Sequence, residues 1–282
     1  DELATTTEEL LAVNKVSRRE LRSYTGRVGH VANLIWSMKP FMEQFWAACE
    51  KELPSNARHG MVWRRQIHTA LVWILGFLRQ QHGPLIREWK LSSYVNAVIV
   101  ITVTFDASPW GLGGVIFKNG IPFQFFRSPL THLDEKRFNF KIGDHRGQQV
   151  VEALAILVSL RLWREFWVAS RTSLVLQGDN VSALTAALRM KAKDGPMKIV
   201  AREMAMEFTK TTLMPQLGRH IPGVTNGLSD YLSRCSQPDH PACTGALPLP
   251  NALIHAMEVH PAVRDASFYT VPIARMARRR EH

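Results

Sequence analysis

At 282 residues the chain can form one large or two ordinary domains, since a domain takes roughly 100 to 200 residues. Hydrophobic residues at 46% and charged residues at 21% exclude collagen-like, wholly disordered and membrane-embedded classes. The balance of 35 Lys+Arg against 24 Asp+Glu leaves +11, which makes a polyanion the first partner to consider, nucleic acid ahead of a membrane surface.

The longest apolar runs, 71–78 and 97–103, fall far short of the roughly 20 residues that span a bilayer, so no membrane partner is expected. Three cysteines, Cys49, Cys235 and Cys243, with no secretory leader ahead of them, speak against a disulfide framework. The expected location is intracellular, cytoplasmic or nuclear.

Residues 1–93 read as a helical segment. Leu21, Tyr24, Val28, Val31 and Ile35 recur at spacings of three and four and make one helical stripe, and Pro40 should break or restart that helix. A second helix is predicted over 62–79, where "VWRRQIHTALVWILGFLR" is apolar on more than one face. Nothing in this segment gathers acid, base and nucleophile, so its plain reading is structural.

From residue 94 the texture changes. "YVNAVIVITVTF" has the β-branched profile of a buried strand. "GLGGVIF" and "IPFQFF", joined by Asn119-Gly120, predict a hairpin, because Asn-Gly readily takes the positive φ values of a type I′ turn. Gly111, Gly113 and Gly114 look at first like a dinucleotide loop, but a strand follows rather than a helix, and that reading fails. A long helix is predicted over 147–169, a strand at "TSLVLQG", a helix at "NVSALTAALRM", another from Gly195-Pro196, a strand at "TLMPQLGRHI" and a last helix at "TNGLSDYLSR". The expected fold class is therefore α/β with mixed strand pairing over 94–235. Residues 236–282, rich in Pro and His and ending in "RMARRR", read as a tail.

Four acids stand where apolar elements should carry none: Asp106 and Asp179 at strand ends, Glu152 in an apolar helix, and Asp230 between Leu228 and Leu232. Each alone has a plain explanation as a cap, turn or solvent-facing residue. Together, at one edge of a sheet, they are better explained by hard divalent cations, which prefer oxygen ligands.

The motifs "TFDAS", "GQQVVEALAIL", "LQGDNVSAL" and "HIPGVTNGLSDYLSR" resemble the ribonuclease H domain of retroelement reverse transcriptases, over roughly residues 98–235 and in the family order Asp, Glu, Asp, Asp. "SRRELRSYTGRVGHVANLIWSMKPFMEQFW" resembles the thumb or connecting segment that precedes it, and "DASPWGLGG" leans towards DIRS-like and allied retrotransposons. The resemblance implies a ribonuclease H-like mixed five-stranded sheet with flanking helices, preceded by a helical subdomain.

It also implies a phosphodiester hydrolase that cuts the RNA strand of an RNA/DNA hybrid with two Mg²⁺ ions, a role Mn²⁺ can also fill. Asp106 would bridge the ions, Glu152 and Asp179 would hold one, and Asp230 the one that activates water. Two cations about 4 Å apart stabilise both the entering and the leaving oxygen of an in-line displacement. His220 matches the family's loop histidine, which assists proton movement or product departure; a hydrogen-bonding surface residue is its plain alternative. An upstream polymerase domain of the same polyprotein is the implied partner, and no "YxDD" polymerase motif lies in this chain.

Arg127, Lys136, Arg137, Lys141 and Arg146 form one candidate grip on substrate, and Arg189, Lys191, Lys193 and Lys198 another; either could be an ordinary solvated face. Asn180 and Asn226 read as helix caps, and Trp110 as core or as a neighbour of the site. Cys235, His240 and Cys243 match no common zinc spacing, and chance explains them better. Two rivals remain: an inactive module of the same fold that binds hybrid or supports a polymerase, and an integrase or transposase, whose acids run Asp, Asp, Glu.

Overall fold

The computed structural model describes residues 2–50, 60–81, 99–168, 172–190, 192, 195–210 and 217–269. The chain divides into two compact units, one within residues 1–87 and the other within 88–270. The boundary expected at 93/94 lies outside the described residues.

In the first unit the striped helix spans Arg18–Leu34 and buries Leu21, Tyr24 and Val28. Ser17 caps it, its hydroxyl accepting from the Glu20 amide at 3.1 Å. The restart at Pro40 is seen as a 3-10 turn at Trp36–Met38 and a new helix at Lys39–Glu50, with the proline in the first turn, where its missing N–H costs nothing. The helix Arg64–Leu78 buries Ile67, Leu71, Ile74 and Phe77, and Phe77 meets Phe41 edge-on at 5.7 Å. One expectation is corrected: this segment is not wholly helical. Strands β1 (Lys15–Ser17) and β2 (Met61–Trp63) pair antiparallel, with Val16 and Val62 turned inward.

The second unit is a mixed α/β fold. Its strands are β3 (Ile99–Ala107), β4 (Gly111–Lys118), β5 (Ile121–Pro129), β6 (Thr172–Gly178), β7 (Leu217–His220) and β8 (Met257–Glu258), in the order β7-β6-β3-β4-β5-β8. β4 runs antiparallel to β3 and β5, whereas β6 is parallel to β3 and to β7. The sheet thus has six strands where five are expected, because residues from the expected tail add β8 in parallel to β5. The predicted hairpin turn is present, with Asn119 at φ 53° and Gly120 at φ 82°.

The helix Gln148–Leu162 is buried around its whole circumference from Val150 to Leu160, which explains its lack of a polar face. It stops at Leu162, short of the predicted 169, and a four-residue helix Glu165–Val168 follows. A helix at His132–Phe138, absent from the sequence reading, starts with a reciprocal capping box between Thr131 and Asp134. The final predicted helix forms at Gly227–Arg234, and its Tyr231 and Leu232 pack with Val115, Phe125, Ala242 and Leu253.

Residues 236–269 are held by more than β8. Arg264, 2% exposed, reaches Asp134, 0% exposed, at 3.0 Å, and also donates to the Ser128 hydroxyl at 2.7 Å and to the Pro129 carbonyl. Arg137 stacks at 3.6 Å on the ring of Tyr269 beside them.

Candidate metal centre

Parallel pairing of β3 with β6 runs from Ile99↔Thr172 to Thr104↔Gln177. That register brings the two strands to the same edge of the sheet, where Asp106 and Asp179 sit. The helix Gln148–Leu162 supplies Glu152 in its second turn. Ligand atoms of Asp106, Glu152 and Asp179 all lie within 4.8 Å of one another. Among the described residues no other group of three such side chains comes this close.

Asp106 is 6% and Glu152 3% exposed, while Asp179 is accessible. The environment disfavours charge on the buried pair. Burial, then the neighbouring charges of Asp230 and Asp179, push the Asp106 carboxyl up to about 7, against a hydrogen bond from Ser233 that pulls it down. Burial and the adjacent Asp106 hold Glu152 well above the usual carboxylate range. Gln148 donates from Nε2 to Glu152 Oε1 at 2.9 Å and to the Ala107 carbonyl at 2.5 Å, while Glu152 Oε2 is buried with no hydrogen-bond partner. Three carboxylates together, one with an orphaned oxygen, match a divalent cation that takes oxygen ligands. The cluster fits a metal; it does not specify which.

Asp230 stands apart from this trio. Its Oδ1 accepts from Arg234 Nε at 2.7 Å and its side chain is 41% exposed, although its charge is close enough to act on Asp106. His220 is exposed at the end of β7, where its backbone pairs with Gly178, one residue before Asp179. The loop after it returns to the site: a Cβ on Gly223 would lie 3.2 Å from Asp179 Oδ2, so this close approach suits glycine.

The other candidates have ordinary roles. Asn180 caps the helix Val181–Arg189, accepting from the Ala183 amide at 3.0 Å. Asn226 is corrected: it precedes the final helix but makes no side-chain cap, and its Nδ2 instead donates to the Phe105 carbonyl at 2.9 Å. Gly111 and Gly113 lie in β4, where added Cβ atoms would collide with backbone of the Gly227–Arg234 helix, Gly113 within 2.5 Å of the Ser229 carbonyl. Close helix packing, and no phosphate, accounts for them.

In the first basic group, Arg127 is engaged by Glu258 at 2.8 Å and Arg146 lies 3.8 Å from Asp144, while Lys136 and Lys141 are exposed. In the second, Arg189 is exposed, and Lys191 and Lys193 lie outside the described residues. Trp110 is partly buried, its ring facing Gly143. His240 Nδ1 accepts from the Ala242 amide, and Cys235 Sγ donates to the Tyr231 carbonyl. Among the described residues no helix is long and apolar enough to cross a membrane.

Two residues at the site were missed by the sequence reading. Gln148 lies one turn before Glu152, and Ser233, one turn after Asp230, donates from Oγ to Asp106 Oδ2 at 2.7 Å. Helical spacing from the two acids was the signal available for both.

No protein-family model and no curated protein matches this sequence. Among solved structures, the chain is similar to the foamy viral protease-reverse transcriptase dRH in complex with ds DNA, at 13% identity and a TM-score of 0.29. The match covers 74% of this chain and 36% of that one, so the chain spans about a third of that protein's length.

Proposed function

We propose that the unit within residues 88–270 is a ribonuclease H-like, metal-dependent endonuclease that hydrolyses the RNA strand of RNA/DNA hybrids as part of a retroelement reverse transcriptase polyprotein. One observation carries this reading: carboxylates from two strand ends and a buried helix, far apart in the chain, bring their oxygens within 4.8 Å of one another. The mixed sheet, the chain order of the acids and the net charge of +11 support it.

Asp106, Glu152 and Asp179 would hold the cations, with Asp230 joining them on release from Arg234. Bound Mg²⁺ or Mn²⁺ supplies Lewis acidity at the phosphate and a water of lowered pKa. The protein's own groups prepare that site. Gln148 restrains Glu152 through Oε1 and leaves Oε2 uncommitted. Ionisation of Asp106 near pH 7 opens it to a cation in the neutral range. His220, exposed where β7 pairs with the end of β6, would assist proton movement or product departure. Exposed Lys136, Lys141 and Arg189 would contact phosphates, and binding should weaken steeply with salt. The 2′-hydroxyl of ribose is what lets such a site tell RNA from DNA.

The test is cleavage of a labelled RNA/DNA hybrid with Mg²⁺. Asp106→Asn should lower the rate by at least about a thousand-fold while leaving hybrid binding intact or tighter. Cleavage near the parent rate would remove Asp106 from the mechanism. A second reading, an inactive module that binds hybrid or supports an upstream polymerase domain, is favoured by the Arg234–Asp230 pair, which gives the fourth acid a cation of the chain's own. A parent that binds hybrid and never cuts it would establish that reading instead.

A further inference from the structure

We infer that Ser233 is a positioning residue for the acid cluster, its hydroxyl fixing the direction of the Asp106 carboxylate and thereby linking the seat of the Gly227–Arg234 helix to metal binding. The inference rests on the metal-dependent reading above and deepens it.

Three consecutive residues of β3 each make a polar contact with this helix or with Asn226, the residue just before it. Thr104 Oγ1 meets Ser229 Oγ at 2.8 Å, the Phe105 carbonyl accepts from Asn226 Nδ2 at 2.9 Å, and Asp106 Oδ2 accepts from Ser233 Oγ at 2.7 Å. Only the third touches an acid of the cluster. From the other side Ser108 Oγ donates to the Ser233 carbonyl at 2.7 Å, and the same Ser108 oxygen accepts from the amides of Trp110 and Gly111. Helix position is set closely, because a Cβ on Gly111 would fall 2.7 Å from the Ser233 carbonyl and one on Gly113 would fall 2.6 Å from the Ser233 amide nitrogen. Ser233 therefore has little room to shift relative to Asp106.

Ser233 is fully buried. Its Oγ also lies 3.0 Å from the Asp230 carbonyl, but a hydroxyl carries one hydrogen, and an ionised carboxylate is the stronger acceptor. The terminal torsion of an Asp side chain is soft, with broad wells. Committing one oxygen to a buried donor removes that freedom and keeps the other oxygen on a single heading. Outer contacts of this kind orient metal ligands, and their loss typically weakens metal binding about 10- to 100-fold.

The Thr104–Ser229 contact provides an internal control, because Ser229→Ala loosens the same helix without touching an acid. Mn²⁺ would be titrated calorimetrically into the full 282-residue chain without nucleic acid, with the Mg²⁺ dependence of hybrid cleavage and the thermal midpoint measured in parallel. Ser233→Ala should weaken Mn²⁺ binding about 10-fold or more and move the Mg²⁺ midpoint by a similar factor. Ser229→Ala should lower the thermal midpoint comparably and leave both metal readouts unchanged. If Ser233→Ala does not fold, Ser233→Cys is read in its place; its thiol is a weak donor, and a smaller weakening of the same sign is expected.

Equal Mn²⁺ affinities for the Ser233 and Ser229 variants, in a background where the parent binds Mn²⁺, would overturn this inference and leave the proposed function standing. A parent that takes up no divalent cation and cuts no hybrid would overturn the function, and the inference with it.

Discussion

Among the places where the second unit buries carboxylates, two treat the charge in opposite ways. Asp134 has its cation built in: Arg264 closes on it from the segment after β8, with both side chains nearly inaccessible. Asp106 and Glu152 have each other, an adjacent Asp179 and, among the described residues, no ion pair with a cation, and Glu152 Oε2 is buried without a well-formed hydrogen bond. The first arrangement is complete and structural. The second is unfavourable alone and becomes favourable when positive charge arrives from outside. A buried acid is thus informative about function only when its neutralising partner is missing.

Removing the cation in the first place and the acid's charge in the second should therefore change stability with opposite sign. Removing the cation by Arg264→Met leaves Asp134 buried and unpaired, and should destabilise the fold by about 3–5 kcal/mol in chemical denaturation. Adding Asp134→Asn to that variant should recover part of the loss. Asp106→Asn, by contrast, should stabilise the metal-free protein at pH 8 by on the order of 2–4 kcal/mol, because the parent holds a charged carboxylate there at a cost of 1.36 kcal/mol for each unit of pKa displacement. A destabilised Asp106→Asn would erase the distinction between the two places.

pH sharpens the same contrast. The Asp106 carboxyl is displaced upward, from 3.8 to about 7, so the folded metal-free protein binds this proton more tightly than the unfolded chain. The associated stability is fully present below about pH 4 and is lost as pH rises through about 7; Glu152, displaced in the same direction, adds to the loss. Thermal midpoints of metal-free protein should fall between pH 5 and pH 8, and saturating Mn²⁺ should remove most of that fall by binding the native state. A midpoint independent of metal at pH 8 would count against a cation site. The smallest effect belongs to Arg234→Gln. Its pair with Asp230 is half exposed on both sides, at 40% and 41%, and an exposed i,i+4 pair contributes about 0.3–0.5 kcal/mol. A loss well above that would mean the fourth acid is clamped rather than available.

Much of this centre was legible along the chain because its signals are local. The β-branched run ending at Asp106, the strand ending before Asp179 and the apolar helix carrying Glu152 all form, and the Asn119-Gly120 turn has the backbone its residue types predict. What escaped was non-local or very short. Lys15–Ser17 and Met61–Trp63 are three-residue strands, too brief to show alternation, and find each other only through the fold. β8 has two residues in a segment whose Pro and His content signals irregular chain. Ser233 meets Asp106 across more than a hundred residues of sequence, and Asn226 gives up local capping for a contact with β3. The helix at His132–Phe138 is a different kind of omission, since Thr131 and Asp134 spell its capping box in plain sequence.

The Arg264 contact has a practical bearing on where the second unit can be cut free. A fragment ended at residue 235, where the resemblance stops, would strip β8 from the β5 edge and strand Asp134 without its counter-ion in the interior. Expressed alone, such a piece should aggregate through the bared strand, whereas one extended through Tyr269 keeps the edge covered. For this chain, the smallest autonomous version of the second unit is defined by a guanidinium well downstream of Asp230.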